Sequence, residues 1–335
     1  MQPTQHPDRR RVLSSGVAMA MMSAGAAKAA KPDELKLFDG HLHLISTDLK
    51  RYPRVALSVA SGADPPGTPQ PGASVEVGKA HLNPDMEQAL AWMDEAGVQT
   101  AAAVQHNGRY GYDNSYTLDC AHAHPDRFRA VVVLDGESPG TPAQLRELAT
   151  TKNIAGLRLT GPKEPHPWLD SDLALKTWAA AQDLGLTMDI LYAPQRFSTE
   201  ALQAFLGVAQ RFPRVRIVID HLGWPALGGA PDYGLERTPA GLMSQPNVFF
   251  KFSTTNLYIL EEAKIPERPY LRFLVDRIGA KRILWGSDIG TSGGPYLEMA
   301  QRARSATSLL TAAEQRQVLR ETGLAVFAPV GAASV

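Results

Sequence analysis

LFDGHLHLIS, residues 37–46, sets two histidines one residue apart near the end of an apolar run. A short apolar run with polar groups gathered at its end reads as a buried strand carrying a site. Period-two alternation places Asp39, His41 and His43 on one face. Two imidazoles so spaced can share a cation, polarise a substrate, or sit in a core as structural residues. The rest of the chain has to decide among these.

Seven more runs of strand-like composition follow: TAAAVQH, RAVVVLDG, IAGLRLTG, LTMDILYA, VRIVIDHLG, VFFKFST and RILWGSDIG. Each ends in polar residues or glycine, as fully buried parallel strands do. Amphipathic stretches separate them, among them MEQALAWMDEAGV and DLALKTWAAAQDLGL. Eight strand–helix units in sequence predict an α/β fold, a single (β/α)8 TIM barrel. An open doubly wound sheet would place a glycine-rich phosphate turn after the first strand; histidines stand there instead. No internal repeat and no second domain interrupts residues 31–335.

The chain has 335 residues, no net charge and one cysteine. A balanced charge with no long run of one sign points away from nucleic acid as a partner. A single cysteine allows no intramolecular disulfide. The first thirty residues differ in kind. DRRRVLSSG, then VAMAMMSAGAAKAA, gives a basic region, a short apolar segment and a small-residue end, the make-up of a signal peptide. Arg9 and Arg10 followed by Val12 and Leu13 fit the twin-arginine type, with cleavage near Ala29 or Ala30. The expectation is export to the periplasm or beyond, with no membrane attachment after cleavage. Residues 47–82, rich in Pro, Gly and Ser, form a long loop after strand 1. In a barrel it lies at the active-site face, as a lid or as a plain insertion.

Barrel sites are built where strands end at their C-terminal side. Polar residues there are Arg158 on strand 4, Tyr192 after strand 5, His221 after strand 6, Lys251 on strand 7 and Asp288 after strand 8, with Gln105 after strand 2. Arg158 and Lys251 need anionic partners, either a substrate or nearby carboxylates, Asp288 being the candidate for Lys251. Tyr192 and Gln105 are further substrate contacts. Asp288, flanked by Gly286 and Gly290, is the candidate general base. Asp220 alternates away from His221 and is assigned to the wall or a helix start.

The motifs FDGHLHL, YPR, MDEAGV, HPDRFRAVVVLD, IAGLRL, VIDHLG, FFKFS and ILWGSD, in this order, resemble the amidohydrolase superfamily. The nearer likeness is to its branch of 2-pyrone-4,6-dicarboxylate lactonases, sugar lactonases and sugar-lactone isomerases. Many superfamily members bind metal through H-x-H, a strand-5 histidine and the strand-8 aspartate. Strand 5 lacks a histidine here, and strand 4 offers Arg158 in place of a bridging ligand. The resemblance therefore implies no binuclear centre. It leaves two arrangements open. Either one zinc sits on His41, His43 and Asp288, or no cofactor is needed and the histidines act on the substrate directly.

The expected reaction is lactone hydrolysis on a small anionic substrate. Asp288 takes the proton of the attacking water, and His41, His43 and His221 steady the oxyanion. The alternatives are a zinc-dependent amidohydrolase or non-oxidative decarboxylase, a sugar-lactone isomerase, and a non-catalytic periplasmic binding protein. The oligomeric state stays open.

Overall fold

A computed structural model describes residues 35–55, 82–152, 154–159, 167–191, 199–223, 227–234 and 240–330. The proposed signal segment, Tyr192 and most of the lid-like loop lie outside the described residues.

All eight expected strands are present: β1 Leu37–Leu42, β2 Val98–Val104, β3 Phe128–Val133, β4 Gly156–Leu159, β5 Thr187–Ile190, β6 Arg216–Ile219, β7 Val248–Ser253 and β8 Ile283–Gly286. They pair in parallel in chain order. The barrel nearly closes between β1 and β8, through His43 N–H to Ile289 O (3.0 Å) and Asp288 N–H to His41 O (2.7 Å). This is a single (β/α)8 barrel.

The helices form for local reasons. Helix α1, Met86–Ala96, starts where Asp85 accepts from the Gln88 amide and stops at Gly97, whose φ of 70° an L side chain would resist. Helix α2, Asp172–Leu184, is bounded the same way by Ser171 and Gly185. Their apolar faces join an outer core with the outward side chains of the strands, including Met93, Val132, Trp178, Met188 and Phe250. Among the described residues no helix is long and apolar enough to cross a membrane.

Inside the barrel, Phe38, Ala102, Val131, Ala155, Val218 and Leu284 pack with Phe327 from the C-terminal segment. These apolar residues form the lower layers. Above them, β4, β5 and β7 turn polar groups inward.

One expectation about β1 fails. Asp39 does not share the face of His41 and His43. The β1–β2 register slips between Asp39 and Leu42, so that three steps on β1 match two on β2. Phe38 and His41 therefore both point inward. Asp39 instead accepts from the His41 and Ser287 amides and from the Tyr296 hydroxyl. It staples β1 to β8 and to the helix that follows. Gly40 permits the slip, since a Cβ there would lie 2.7 Å from the Trp285 carbonyl oxygen.

Candidate active site

The polar layer at the barrel's C-terminal side starts from four buried charges. Arg158, Asp189, Asp220 and Lys251 come from β4, β5, the end of β6 and β7. The Lys251 ammonium is 0% exposed. It donates to both oxygens of Asp189 (3.0 and 2.8 Å), to Asp220 Oδ1 (2.8 Å) and to His41 Nδ1 (2.8 Å). Arg158 places Nε and Nη2 on Asp220 Oδ2, at 2.9 and 2.8 Å. Two anions thus meet two cations, which is how a protein holds buried charge.

Burial would raise the pKa of Asp220, but Lys251 and Arg158 outweigh it and hold the carboxyl well below its usual range. Asp189 has one cation in contact, and burial beside Asp220 pushes it up to about 7. Burial would likewise lower Arg158, yet Asp220 and Asp189 more than restore it.

This arrangement corrects two expectations. Lys251 pairs with Asp189 and Asp220, not with Asp288, and every donor it has is used inside the protein. Asp220 belongs to the site rather than to the wall. Val218 and Asp220 face inward, while Ile217 and Ile219 pack in the outer core. His221 reaches the site because the chain turns left-handed after β6, with φ of 52° at His221 and 54° at Leu222. Such backbone costs about 1 kcal/mol or more per non-glycine residue and persists only where other contacts fix it. Asn256 supplies one of these, donating to the His221 carbonyl at 2.8 Å. The His221 ring lies 2.7 Å through Nδ1 from Ser253 Oγ.

Over this layer sit His41, His43 and Asp288. His41 Nε2 and His43 Nε2 are 3.1 Å apart, and Asp288 Oδ1 lies 3.6 and 3.5 Å from them. Asp288 Oδ2 accepts from the hydroxyls of Thr255 (3.1 Å) and Ser292 (2.8 Å). The carboxylate is therefore clamped at one oxygen and aims the other at the histidines. Burial would raise its pKa; His221, His43 and His41 overcome that and keep it ionised far below the ordinary carboxylate range.

His106 extends the group, its ring 4.8 Å from that of His43. Gln105 precedes it on the chain, buried, with its side-chain oxygen unpartnered among the described residues. Its amide nitrogen is spent on the carbonyls of Gly111 (3.0 Å) and Asp113 (2.8 Å), which ties down the loop after β2. Thr255, Ser292 and Ser253 escaped the sequence reading because hydroxyl residues are common at strand and helix ends. Only packing shows which of them touch a site.

By spacing, two groups among the described residues could hold a metal ion: His41, His43 and Asp288, and His41, Asp220 and His221. A tetrahedral zinc with bonds of about 2.1 Å needs ligand atoms about 3.4 Å apart, which the first group matches. In the second, the Lys251 ammonium already supplies the cation. Hydrogen bonding tests the first more closely. A histidine ligand gives the N–H of its other nitrogen to an acceptor. His43 does so, with Nδ1 2.8 Å from the Val104 carbonyl. His41 meets this requirement poorly: the nearest neighbour of its Nδ1, at 2.8 Å, is the Lys251 ammonium, which has no lone pair, and Asp220 Oδ1 stands farther off at 3.2 Å while accepting from Lys251. The donor set therefore fits a metal poorly at His41.

The buried histidines carry a stability prediction. Burial lowers the pKa of His41, His106 and His221 below the ordinary 6.5. Below about pH 6.5 the unfolded chain takes up protons at these three sites more readily than the native state does. Asp39 and Asp189, both raised in the native state, oppose this. The three histidines outnumber the two carboxyls, so stability should fall from pH 6 toward 5, by up to about 1.4 kcal/mol per pH unit. Urea midpoints across that range check it. A flat profile would mean that the histidines are charged in the native protein.

A nearly closed parallel barrel with histidines, an aspartate and buried cations at its C-terminal mouth is the architecture of a barrel enzyme. The chain belongs to the amidohydrolase family, whose model matches residues 38–328. It is 32% identical over 211 residues to an L-fucono-1,5-lactonase of Burkholderia ambifaria, spanning 61% of this chain and 68% of that protein. Among solved structures, a probable 2-pyrone-4,6-dicarboxylic acid hydrolase from Acinetobacter baumannii superposes with a TM-score of 0.61 at 17% identity, over 87% of this chain and 99% of that one. A 5-carboxyvanillate decarboxylase from Sphingomonas paucimobilis gives 0.59 at 14% identity, over 88% and 99%. At these identities the two structures show a shared fold.

Proposed function

We propose that the protein is a lactonase that opens a sugar-derived lactone by attack of water on the ring carbonyl. The carrying observation is the Asp288 carboxylate, held ionised, clamped at Oδ2 and presenting Oδ1 to His41 and His43. A water seated at Oδ1 gives up its proton to Asp288 as it attacks, and the oxyanion forms beside the His41 Nε2. The likeness to an L-fucono-1,5-lactonase supports this chemistry. The buried charges refine the substrate class. Lys251 and Arg158 are paired with Asp189 and Asp220, so a substrate carboxylate would meet an already balanced layer. An uncharged polyhydroxy lactone suits it better than a dicarboxylate.

A decarboxylase reading draws on the metal-sized spacing of His41, His43 and Asp288. The test is a panel containing aldono-1,5- and 1,4-lactones, 2-pyrone-4,6-dicarboxylate and hydroxybenzoates, with acid release and CO2 followed separately. Turnover of the aldonolactones with no CO2 is expected. Turnover confined to the hydroxybenzoates, with CO2 released, would sink the proposal. We further propose that residues 1–30 direct export by the twin-arginine route, which cell fractionation of the full chain would test.

A further inference from the structure

We infer that Lys251 is a positioning residue that keeps the ring proton of His41 on Nε2, making His41 a hydrogen-bond donor to the reaction rather than a metal ligand. An ammonium has three N–H groups and can accept nothing. Its neighbours within 3.0 Å are Asp189, Asp220 Oδ1 and His41 Nδ1. A proton on Nδ1 would point N–H at N–H across 2.8 Å. Asp220 Oδ1, 3.2 Å from Nδ1, already accepts from Lys251 at the shorter distance of 2.8 Å. The ring therefore accepts at Nδ1 and carries its single proton at Nε2.

His43 is set the opposite way. Its Nδ1 faces a backbone carbonyl, which accepts only, so that nitrogen bears a proton. The two Nε2 atoms, 3.1 Å apart, then form one hydrogen bond from His41 to His43. Asp39 and the β1 register slip turn His41 inward, and Lys251 decides what it offers. The other groups facing the His41 ring are Asp220, Asp288, His43 and His221. None of them replaces a donor at Nδ1. When a carbonyl oxygen arrives, the His41 Nε2–H can leave His43 for it. That last step rests on the lactonase reading; the placement of the proton does not.

The test uses full-length protein with 15N-labelled histidine, without substrate. Long-range proton–nitrogen correlation separates the two tautomers, and loss of one ring system in His41→Asn assigns His41. Wild type should show an Nε2–H tautomer at His41 from pH 6 to 8. One equivalent of zinc should leave that ring's signals in place. Lys251→Met removes the donor, so His41 should turn to the Nδ1–H tautomer on Asp220, and zinc affinity should rise by about tenfold or more. Lys251→Arg, which restores an N–H donor, should return the wild-type tautomer. An Nδ1–H tautomer in wild type, or zinc shifts at His41 Nε2, would overturn the inference. So would a Lys251→Met spectrum unchanged from wild type. The wild-type spectrum decides the point even if Lys251→Met fails to fold. Failure of lactone turnover would leave these spectra unaffected, so the two claims fail separately.

Discussion

Replacing Asp288 with Asn should cut turnover of a lactone substrate by about 10²–10⁴-fold, the usual contribution of a positioned general base. The amide is nearly the same size. Its oxygen can still accept from Thr255 and Ser292, which hold Oδ2 of the native carboxylate at 3.1 and 2.8 Å. Binding and fold should therefore persist while proton removal from water is lost. The expected signature is a large fall in kcat with KM changed by only a few fold. Turnover within about tenfold of wild type would assign the base elsewhere, His221 being the next candidate. Ser292→Ala and Thr255→Ala should show smaller losses, since each removes only one of the two bonds on Oδ2.

Asp220→Ala should cost about 3–5 kcal/mol of stability, the range found when one partner of a buried ion pair is removed. The effect is large because Asp220 serves two cations. Arg158 uses two nitrogens on Oδ2, and Lys251 uses Oδ1. With Asp220 gone, Asp189 alone faces both. Asp220→Asn keeps the shape and an acceptor oxygen, and should cost less than the alanine variant. Urea unfolding at pH 7.5 compares them. A loss below about 1 kcal/mol for Asp220→Ala would mean that water or backbone already compensates the two cations.

Much of this was legible in the sequence. The barrel followed from eight apolar runs ending in polar or glycine residues, and each run contains a strand at its expected place. His41, His43, His221 and Asp288 do meet, because the barrel brings the ends of distant strands to one mouth. What failed was the detail of facing. Alternation assumes an unbroken register, and Gly40 hides a slip that separates Asp39 from His41. On β6, alternation through Ile217 and Ile219 would carry on to His221. The left-handed turn at His221 breaks that continuity, and Asp220 follows Val218 into the barrel instead. Lys251 was read as a buried lysine needing an anion, which it is. Its partners on β5 and β6 were invisible because pairing across strands depends on register, which no single segment carries. A Val218-based alternation would have pointed to Asp220, and Arg158, Asp189 and Lys251 all occupy inward positions on their strands.

Oxygen-18 water tests the central claim most directly. A lactone turned over in labelled water, with the spontaneous reaction subtracted, should give a product carrying one heavy oxygen in its new carboxylate and none in the hydroxyl released from the ring. That pattern means water attacked the carbonyl, as the placement of Asp288 and His41 requires. A product free of label, or labelled at the hydroxyl carbon, would contradict the account.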